Sequence, residues 1–318
     1  MKIVMLDRNS LGMDVDISVF KKYGEFVAYD VASREDTKQR IKDAEVLIFN
    51  KVRMDEDLLR DAKKVRLLCV TATGTDNIDI PYANSRNIVV TNVKNYSTPA
   101  VTQHTFALAL YLIEKLNFYD NYVKSGEYSN QLGFSNFSEI YHELSGMTWG
   151  IVGMGNIGKA VATVAEAFGC KVIYYSASGT HDIVDIERVD FNGLLSRSDI
   201  LSLHCPLTDR TRNLINLEAL KKMKSSAILI NVSRGPVVND NDLAQALNEG
   251  MIAGAGLDVL GVEPMAKDNP LGKIQDSRKL IITPHMAWAS AEARKRCIEE
   301  IRLNIDAFLN GKERNTVK

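Results

Sequence analysis

Long hydrophobic runs are missing from this sequence. Nowhere do about 20 apolar residues follow one another, so no segment is expected to cross a membrane. Excess charge of one sign is missing too. Lys plus Arg number 39 against 40 Asp plus Glu, a formal charge of -1, and a chain without a basic excess lacks the electrostatic footprint of a nucleic-acid binder. Cysteine is scarce: Cys69, Cys170, Cys205 and Cys297 are scattered and form no CxxC pair. That spacing suits neither a disulfide framework nor a zinc site, and buried free thiols in a reducing cytoplasm are expected. No group of His, Cys, Asp and Glu has ligand spacing, so no metal is expected. Internal repeats and low-complexity tracts are absent as well.

What is present is ordinary globular material, 45% hydrophobic and 25% charged over 318 residues, a length for about two domains at roughly 150 residues each. The opening Met1 to Asp7 reads as a first strand, being too short an apolar run for a signal peptide. Short apolar runs at 3–6, 46–49, 67–70 and 88–90 alternate with polar stretches of helical period at 33–44 and 54–63. A second series of runs follows at 149–152, 172–175, 200–203, 227–230, 254–257 and 280–282. Strands apolar on both faces and separated by helices predict parallel sheets covered by helices, the α/β class. Residues 97 to about 115 predict a long buried helix, and 125–138 has turn chemistry. A final helix over about 290–310 carries Ile298, Ile301, Ile305 and Phe308 as an apolar stripe, with Gly311 placed to stop it.

Gly153-Met154-Gly155-Asn156-Ile157-Gly158 ends one apolar run and opens a helix reaching about Phe168. Alone, GxGxxG is weak evidence and is as often a tight turn. Here the next run, 171–175, closes a unit of the size a dinucleotide fold requires. Gly153 then makes the turn, Gly155 admits a pyrophosphate, and Gly158 lets helix and strand approach, while the helix N-terminus offers its N–H groups to phosphate. The acidic residue expected at the end of that second run is replaced by Ser176. An Asp there would hold the ribose hydroxyls and repel a 2′-phosphate. Its loss leaves NADP open beside NAD, although no Arg or Lys between 176 and 181 attracts the phosphate; the lean is slightly to NAD.

Three later loops each follow an apolar run and each carry one chemically distinctive side chain. They are Asn231-Val232-Ser233-Arg234-Gly235-Pro236, Asp258-Val259-Leu260-Gly261-Val262-Glu263-Pro264, and Thr283-Pro284-His285-Met286-Ala287-Trp288. Singly, each residue has a plain structural reading: a loop cation, a Glu-Pro turn, a satisfied histidine. Ligands of open parallel sheets bind at the carboxyl ends of strands, so a cation, a carboxylate and an imidazole in three such loops suggest one crevice. Such a set suits a reaction in which negative charge grows on an oxygen. A cation and a proton donor stabilise that charge more in the transition state than in the ground state, and histidine exchanges protons near neutral pH.

In these motifs the sequence resembles the D-isomer specific 2-hydroxyacid dehydrogenase family. The match runs in order through Thr73-Gly74-Thr75-Asp76-Asn77-Ile78-Asp79, Tyr96-Ser97-Thr98-Pro99-Ala100-Val101-Thr102-Gln103-His104, Gly153 to Gly158, His204-Cys205-Pro206-Leu207-Thr208, and the three loops above. Gln103-His104-Thr105 and Trp288 look like its glycerate dehydrogenase (hydroxypyruvate reductase) branch. The resemblance implies two Rossmann-like, doubly wound domains: a discontinuous substrate domain, 1–100 plus 286–318, and an NAD(P)-binding domain, 101–285, with an active-site cleft between them. It further implies that Arg234 binds the substrate, Glu263 partners His285, and His285 is the acid/base. Backbone N–H groups of Thr73, Gly74 and Thr75 would grip the substrate carboxylate and Trp288 would line that site. Cys205, Pro206, Val232 and Ser233 would line the cofactor, with Asp258 near the nicotinamide amide. His104 and His204 are expected to be structural, while His142 and His181 have no companions. The substrate implied is a small 2-keto acid, hydroxypyruvate or glyoxylate. Other readings are a reductase of pyruvate or of branched-chain or aromatic keto acids, or an NADH-sensing corepressor-like binding protein. A cytoplasmic homodimer joined through the cofactor domains completes the expectation.

Overall fold

The computed structural model of the chain describes residues 1–179 and 185–318. Thr180 and His181, weighed above, lie outside the described residues. The chain forms two compact units, Met1–Ser97 with Ala289–Lys318, and Thr98–Trp288. Each boundary falls a few residues from the position that the resemblance implies.

In the first unit, strands β1 (Lys2–Met5), β2 (Glu25–Ala28), β3 (Val46–Phe49), β4 (Leu67–Val70) and β5 (Val89–Thr91) form a parallel sheet in the order β2-β1-β3-β4-β5. Its inner strands β3 and β4 are buried at every position, which is why they read as unbroken apolar runs. Edge strand β2 is only partly covered, and its short mixed sequence gives no strand signal. Helices α1 (Arg34–Arg40), α2 (Glu56–Leu59) and α3 (Ile80–Ser85) are each capped by the preceding side chain. Ser33, Asp55 and Asp79 accept from the N–H of Asp36, Leu58 and Tyr82. The C-terminal helix, Ala291–Leu309, joins this unit. Ser290 caps it, its stripe of Ile298, Ile301 and Ile305 is buried, and Gly311 ends it with φ +66°.

The second unit contains α4 (Thr98–Ile113), α5 (Leu116–Lys124), β6 (Thr148–Val152), α6 (Asn156–Ala167), β7 (Lys171–Tyr175), β8 (Glu187–Arg188), α7 (Phe191–Arg197), β9 (Ile200–Leu203), α8 (Leu217–Leu220), β10 (Ile228–Asn231), α9 (Asp240–Asn248), β11 (Gly254–Leu257) and β12 (Leu280–Ile282). Its parallel sheet has the order β12-β11-β10-β9-β6-β7-β8. The chain runs outward from β6 through β7 and β8, then returns to place β9 on the other side of β6. The gap between β6 and β9 is therefore the switch point, where an open parallel sheet leaves a crevice. One face of the sheet packs on α4 and α6 through Phe106, Leu108, Trp149, Ile151 and Val161. The other packs on α7, α8 and α9 through Leu194, Leu220, Leu243 and Leu247.

Helix α4 buries Val101, Phe106, Leu108 and Leu112 as its composition predicts, while Gln103 and Ala107 are exposed. Helix α5 is not announced by the sequence: Asn117, Phe118, Tyr119, Asp120, Asn121 and Tyr122 all have modest helix propensity. Beyond it, Leu132, Phe134, Phe137 and Ile140 are exposed. All four cysteines are buried and free. Among the described residues no helix is long and apolar enough to cross a membrane.

Candidate active site

Three glycines shape the turn from β6 into α6, each for a different steric reason. Gly153 has φ +93°, and a β-carbon there would meet the His204 carbonyl and the Cys205 nitrogen at 2.9 Å. The turn therefore abuts the loop after β9 across the switch point. A β-carbon on Gly158 would lie 2.2 Å from the Gly153 carbonyl oxygen, so the first turn of α6 is pressed onto the strand end. At Gly155 the same construction meets nothing within 4 Å: the space in front of this residue is open. Gly155 is also the N-cap of α6 and offers no side-chain cap, whereas Asp190, Asn216 and Asn239 cap α7, α8 and α9. Asn156 and Ile157 open the helix behind it. An open approach to a helix N-terminus without a side-chain cap fits an anionic pyrophosphate.

Ser176 follows β7 and is buried, its hydroxyl 3.4 Å from that of Ser178. Arg188 on β8 donates to the Gly179 carbonyl at 3.4 Å, which brings a cation to this loop. Sequence reasoning limited to 176–181 misses it, because β8 returns beside β7 only in the folded sheet. Across the switch point, Trp149 Nε1 donates to Ser202 Oγ at 2.8 Å, and Ser202 Oγ lies 3.0 Å from His204 Nε2. Burial pushes His204 down to about 3, so its ring is neutral. Cys205 is also buried, and burial pushes its thiol up to about 11, which suits a wall of the crevice and not a nucleophile. The Pro206 carbonyl accepts from Thr211 Oγ1 at 2.7 Å, fixing that loop.

Strands β10, β11 and β12 are neighbours in the sheet, so the three distinctive loops leave it side by side. Asn231 organises the first: its Oδ1 accepts from Ser233 N and Oγ at 3.1 and 3.0 Å, and its Nδ2 donates to the Arg234 carbonyl. Val232 is buried beneath, and Arg234 is half-buried with Nη1 on the Ser233 carbonyl at 2.9 Å. Gly235 seats this loop against the next, since a β-carbon there would meet the Leu260 carbonyl oxygen at 1.7 Å. Glu263 Oε1 accepts from Leu260 N at 3.0 Å. Its Oε2 stands 2.7 Å from His285 Nδ1, with the two side chains 35% and 27% exposed. Carboxylate and imidazole thus meet from loops of different strands. His285 takes φ +54°, a left-handed conformation uncommon for a residue with a side chain.

Asp258 is almost wholly buried, and its carboxylate faces the His285 loop. Oδ1 accepts from Thr283 Oγ1 at 2.6 Å and Met286 N at 2.9 Å, and Oδ2 from Ala287 N at 2.8 Å. Trp288 Nε1 donates to the His285 carbonyl at 3.1 Å. In the first unit, Thr73, Gly74 and Thr75 follow the carboxyl end of β4; Thr73 Oγ1 donates to the Val93 carbonyl at 2.8 Å, and Asn92 Nδ2 donates to the Thr73 carbonyl at 2.7 Å.

The family model described as D-isomer specific 2-hydroxyacid dehydrogenase, NAD binding domain, matches residues 106–287. A glycerate dehydrogenase of Methylorubrum extorquens is 39% identical, covering 100% of this chain and 99% of that one. A hydroxypyruvate reductase of Blautia hydrogenotrophica is 36% identical, covering 100% and 99%. Among solved structures, D-lactate dehydrogenase from Aquifex aeolicus, complexed with NAD and lactic acid, superposes with a TM-score of 0.86 at 29% identity, covering 98% of this chain and 96% of that one. With the switch-point glycine turn and the strand-end loops in place, these matches settle the kinship: the chain belongs to the D-isomer specific 2-hydroxyacid dehydrogenase family.

Proposed function

We propose that this chain reduces hydroxypyruvate to D-glycerate and glyoxylate to glycolate with a nicotinamide cofactor, NADH ahead of NADPH. The observation that carries the reading is the 2.7 Å contact of His285 Nδ1 with Glu263 Oε2, on the same sheet whose switch point holds the open glycine turn. Relatives named glycerate dehydrogenase and hydroxypyruvate reductase, matched over the whole chain, support the substrate class.

When bound, the reduced nicotinamide supplies a hydride. The protein's own part is to place and charge the groups around the keto oxygen. With Nδ1 engaged by Glu263, His285 has Nε2 left to give a proton to the oxygen as charge grows there. The Glu263 carboxylate, 2.7 Å from Nδ1, fixes the ring's orientation. Arg234 holds the substrate carboxylate and carbonyl oxygen through its planar fork, a contact that Lys cannot copy. Trp288 lines the substrate. Gly153, Gly155, Asn156, Ile157 and Gly158 receive the pyrophosphate, Ser176 faces the adenosine ribose, and Cys205, Pro206, Val232, Ser233 and Asp258 wall the cofactor.

A panel of 2-keto acids, each with NADH and NADPH, tests the assignment on the purified chain. The reading expects the highest kcat/KM for hydroxypyruvate and glyoxylate and D-glycerate as the product of the first. Faster turnover of pyruvate, or of a branched-chain or aromatic keto acid, would move the substrate elsewhere in the family. Binding of NADH without turnover of any keto acid would point to a sensor.

We also infer a cytoplasmic homodimer. The exposed Leu132, Phe134, Phe137 and Ile140, within one stretch of the second unit, support self-association, and four free thiols suit a reducing compartment. Light scattering behind size exclusion expects twice the chain mass; a monomer at micromolar concentration would overturn the dimer.

A further inference from the structure

His285 sits in a backbone conformation that its side chain disfavours, with φ +54°. Such a geometry persists only where the surroundings over-determine it, and here the determinants converge on Asp258. The Asp258 carbonyl accepts from His285 N at 2.8 Å. Its carboxylate accepts from residues on both sides of His285: Thr283 Oγ1 at 2.6 Å, Met286 N at 2.9 Å and Ala287 N at 2.8 Å. Asp258 N is itself tied to the Asn231 carbonyl at 2.9 Å, on neighbouring β10. One buried residue therefore holds the backbone of the histidine loop at 285, 286 and 287 and its side chain at 283.

The chain of donors extends one residue further. Thr283 Oγ1 has a single proton and spends it on Asp258, so toward His104 it accepts. His104 Nε2, 2.9 Å away, must then carry the hydrogen, and it also stands 3.5 Å from Asp258 Oδ1. His104 projects from α4, a helix packed against the sheet by Phe106 and Leu108 and so a rigid base. A buried carboxylate is tolerated only when its acceptor sites are filled, and His104 acts on this one through the Thr283 hydroxyl that it orients.

We propose that His104 and Thr283 are positioning residues for catalysis: through Asp258 they hold the Thr283–Ala287 loop so that His285 Nδ1 meets Glu263. The inference rests on the dehydrogenase reading above and deepens it. Neither residue touches substrate in this account, and both act through the loop.

Three variants of the full chain separate this role from simple packing. Thr283→Val keeps the shape and removes the hydroxyl; His104→Phe keeps a ring and removes the donor; His104→Gln keeps an N–H donor at similar reach. Misplacement of a catalytic group by an ångström can cost about 100-fold in rate. Thr283→Val and His104→Phe are expected to lower kcat by about 10- to 100-fold, with NADH affinity within about twofold of the parent. His104→Gln should recover most of the lost rate. A second readout needs no turnover: the downfield proton resonance of His285 Nδ1–H, assigned by its loss in His285→Phe, should broaden or vanish in Thr283→Val and persist in His104→Gln. Parent-like kcat and an unchanged resonance in Thr283→Val and His104→Phe would overturn the proposal, as would His104→Gln failing as badly as His104→Phe. Should Thr283→Val not fold, the two His104 variants decide. A parent enzyme without turnover would sink the dehydrogenase reading, and the resonance would still judge the clamp.

Discussion

Gly158 lies so close beneath Gly153 that one added β-carbon would come within 2.2 Å of the Gly153 carbonyl oxygen, while a β-carbon on Gly155, between them, would touch nothing within 4 Å. The two positions therefore answer the same substitution differently. Gly158→Ala forces backbone against backbone and should lower stability by about 1–3 kcal/mol, the usual cost of overpacking. Gly155→Ala should leave the melting temperature of the free protein unchanged. Its methyl group enters the space in front of the α6 N-terminus, so NADH affinity should drop by about tenfold or more, as when a ligand loses a well-made charged contact. Thermal melts and NADH fluorescence titration of both variants check this. A stable Gly155→Ala that binds NADH like the parent would remove the pyrophosphate from this turn.

The proposed function assigns cofactor choice to Ser176. A carboxylate at its position accepts from ribose hydroxyls and repels a 2′-phosphate, and like charges brought together cost several kcal/mol. Ser176→Asp should lower kcat/KM with NADPH by at least about tenfold relative to NADH. An unchanged NADPH to NADH ratio would place the 2′ position away from Ser176.

Asp7 makes stability depend on pH. It follows β1, and its carboxylate accepts from Asn50 N at 3.0 and 3.1 Å and from Lys51 N at 2.6 Å. Burial outweighs these bonds and raises it from 3.8 to about 6. Between those values the folded chain holds a proton that the unfolded chain has released. The stabilisation is therefore complete below pH 3.8 and lost as pH rises through about 6. Some two pKa steps correspond to about 3 kcal/mol. Asp7→Asn, compared with the parent by urea unfolding, should be relatively more favourable at pH 7.5 than at pH 4 by on the order of 2–3 kcal/mol. An equal difference at both pH values would contradict this account of the site.

Much of this was readable in the residues. Strands β3, β4, β9 and β10 are buried at every position, and for that reason their apolar runs stand out. The C-terminal helix carries its cap, stripe and stop within its own sequence. Strand β2 and helix α5 were hidden, because an exposed edge strand and a helix of aromatic and Asn residues owe their form to tertiary packing, not to local pattern. At the site, the glycine motif and the His, Glu and Arg loops announce themselves by type and by place after a strand. The hydroxyl of Thr283, the donor on His104 and the return of Arg188 beside Gly179 do not, since each gains meaning only from a neighbour remote in sequence.

If His285, held by Glu263, moves the proton that accompanies reduction of the keto group, its removal should stop the chemistry and spare cofactor binding. Reduction of hydroxypyruvate with NADH, followed for the parent, His285→Ala and Glu263→Gln, tests it most directly. The parent should turn over. His285→Ala should bind NADH as tightly while its kcat falls by about 100- to 10,000-fold, the range of general acid–base catalysis, and Glu263→Gln should lie between. A His285→Ala enzyme working at the parent rate would contradict the account.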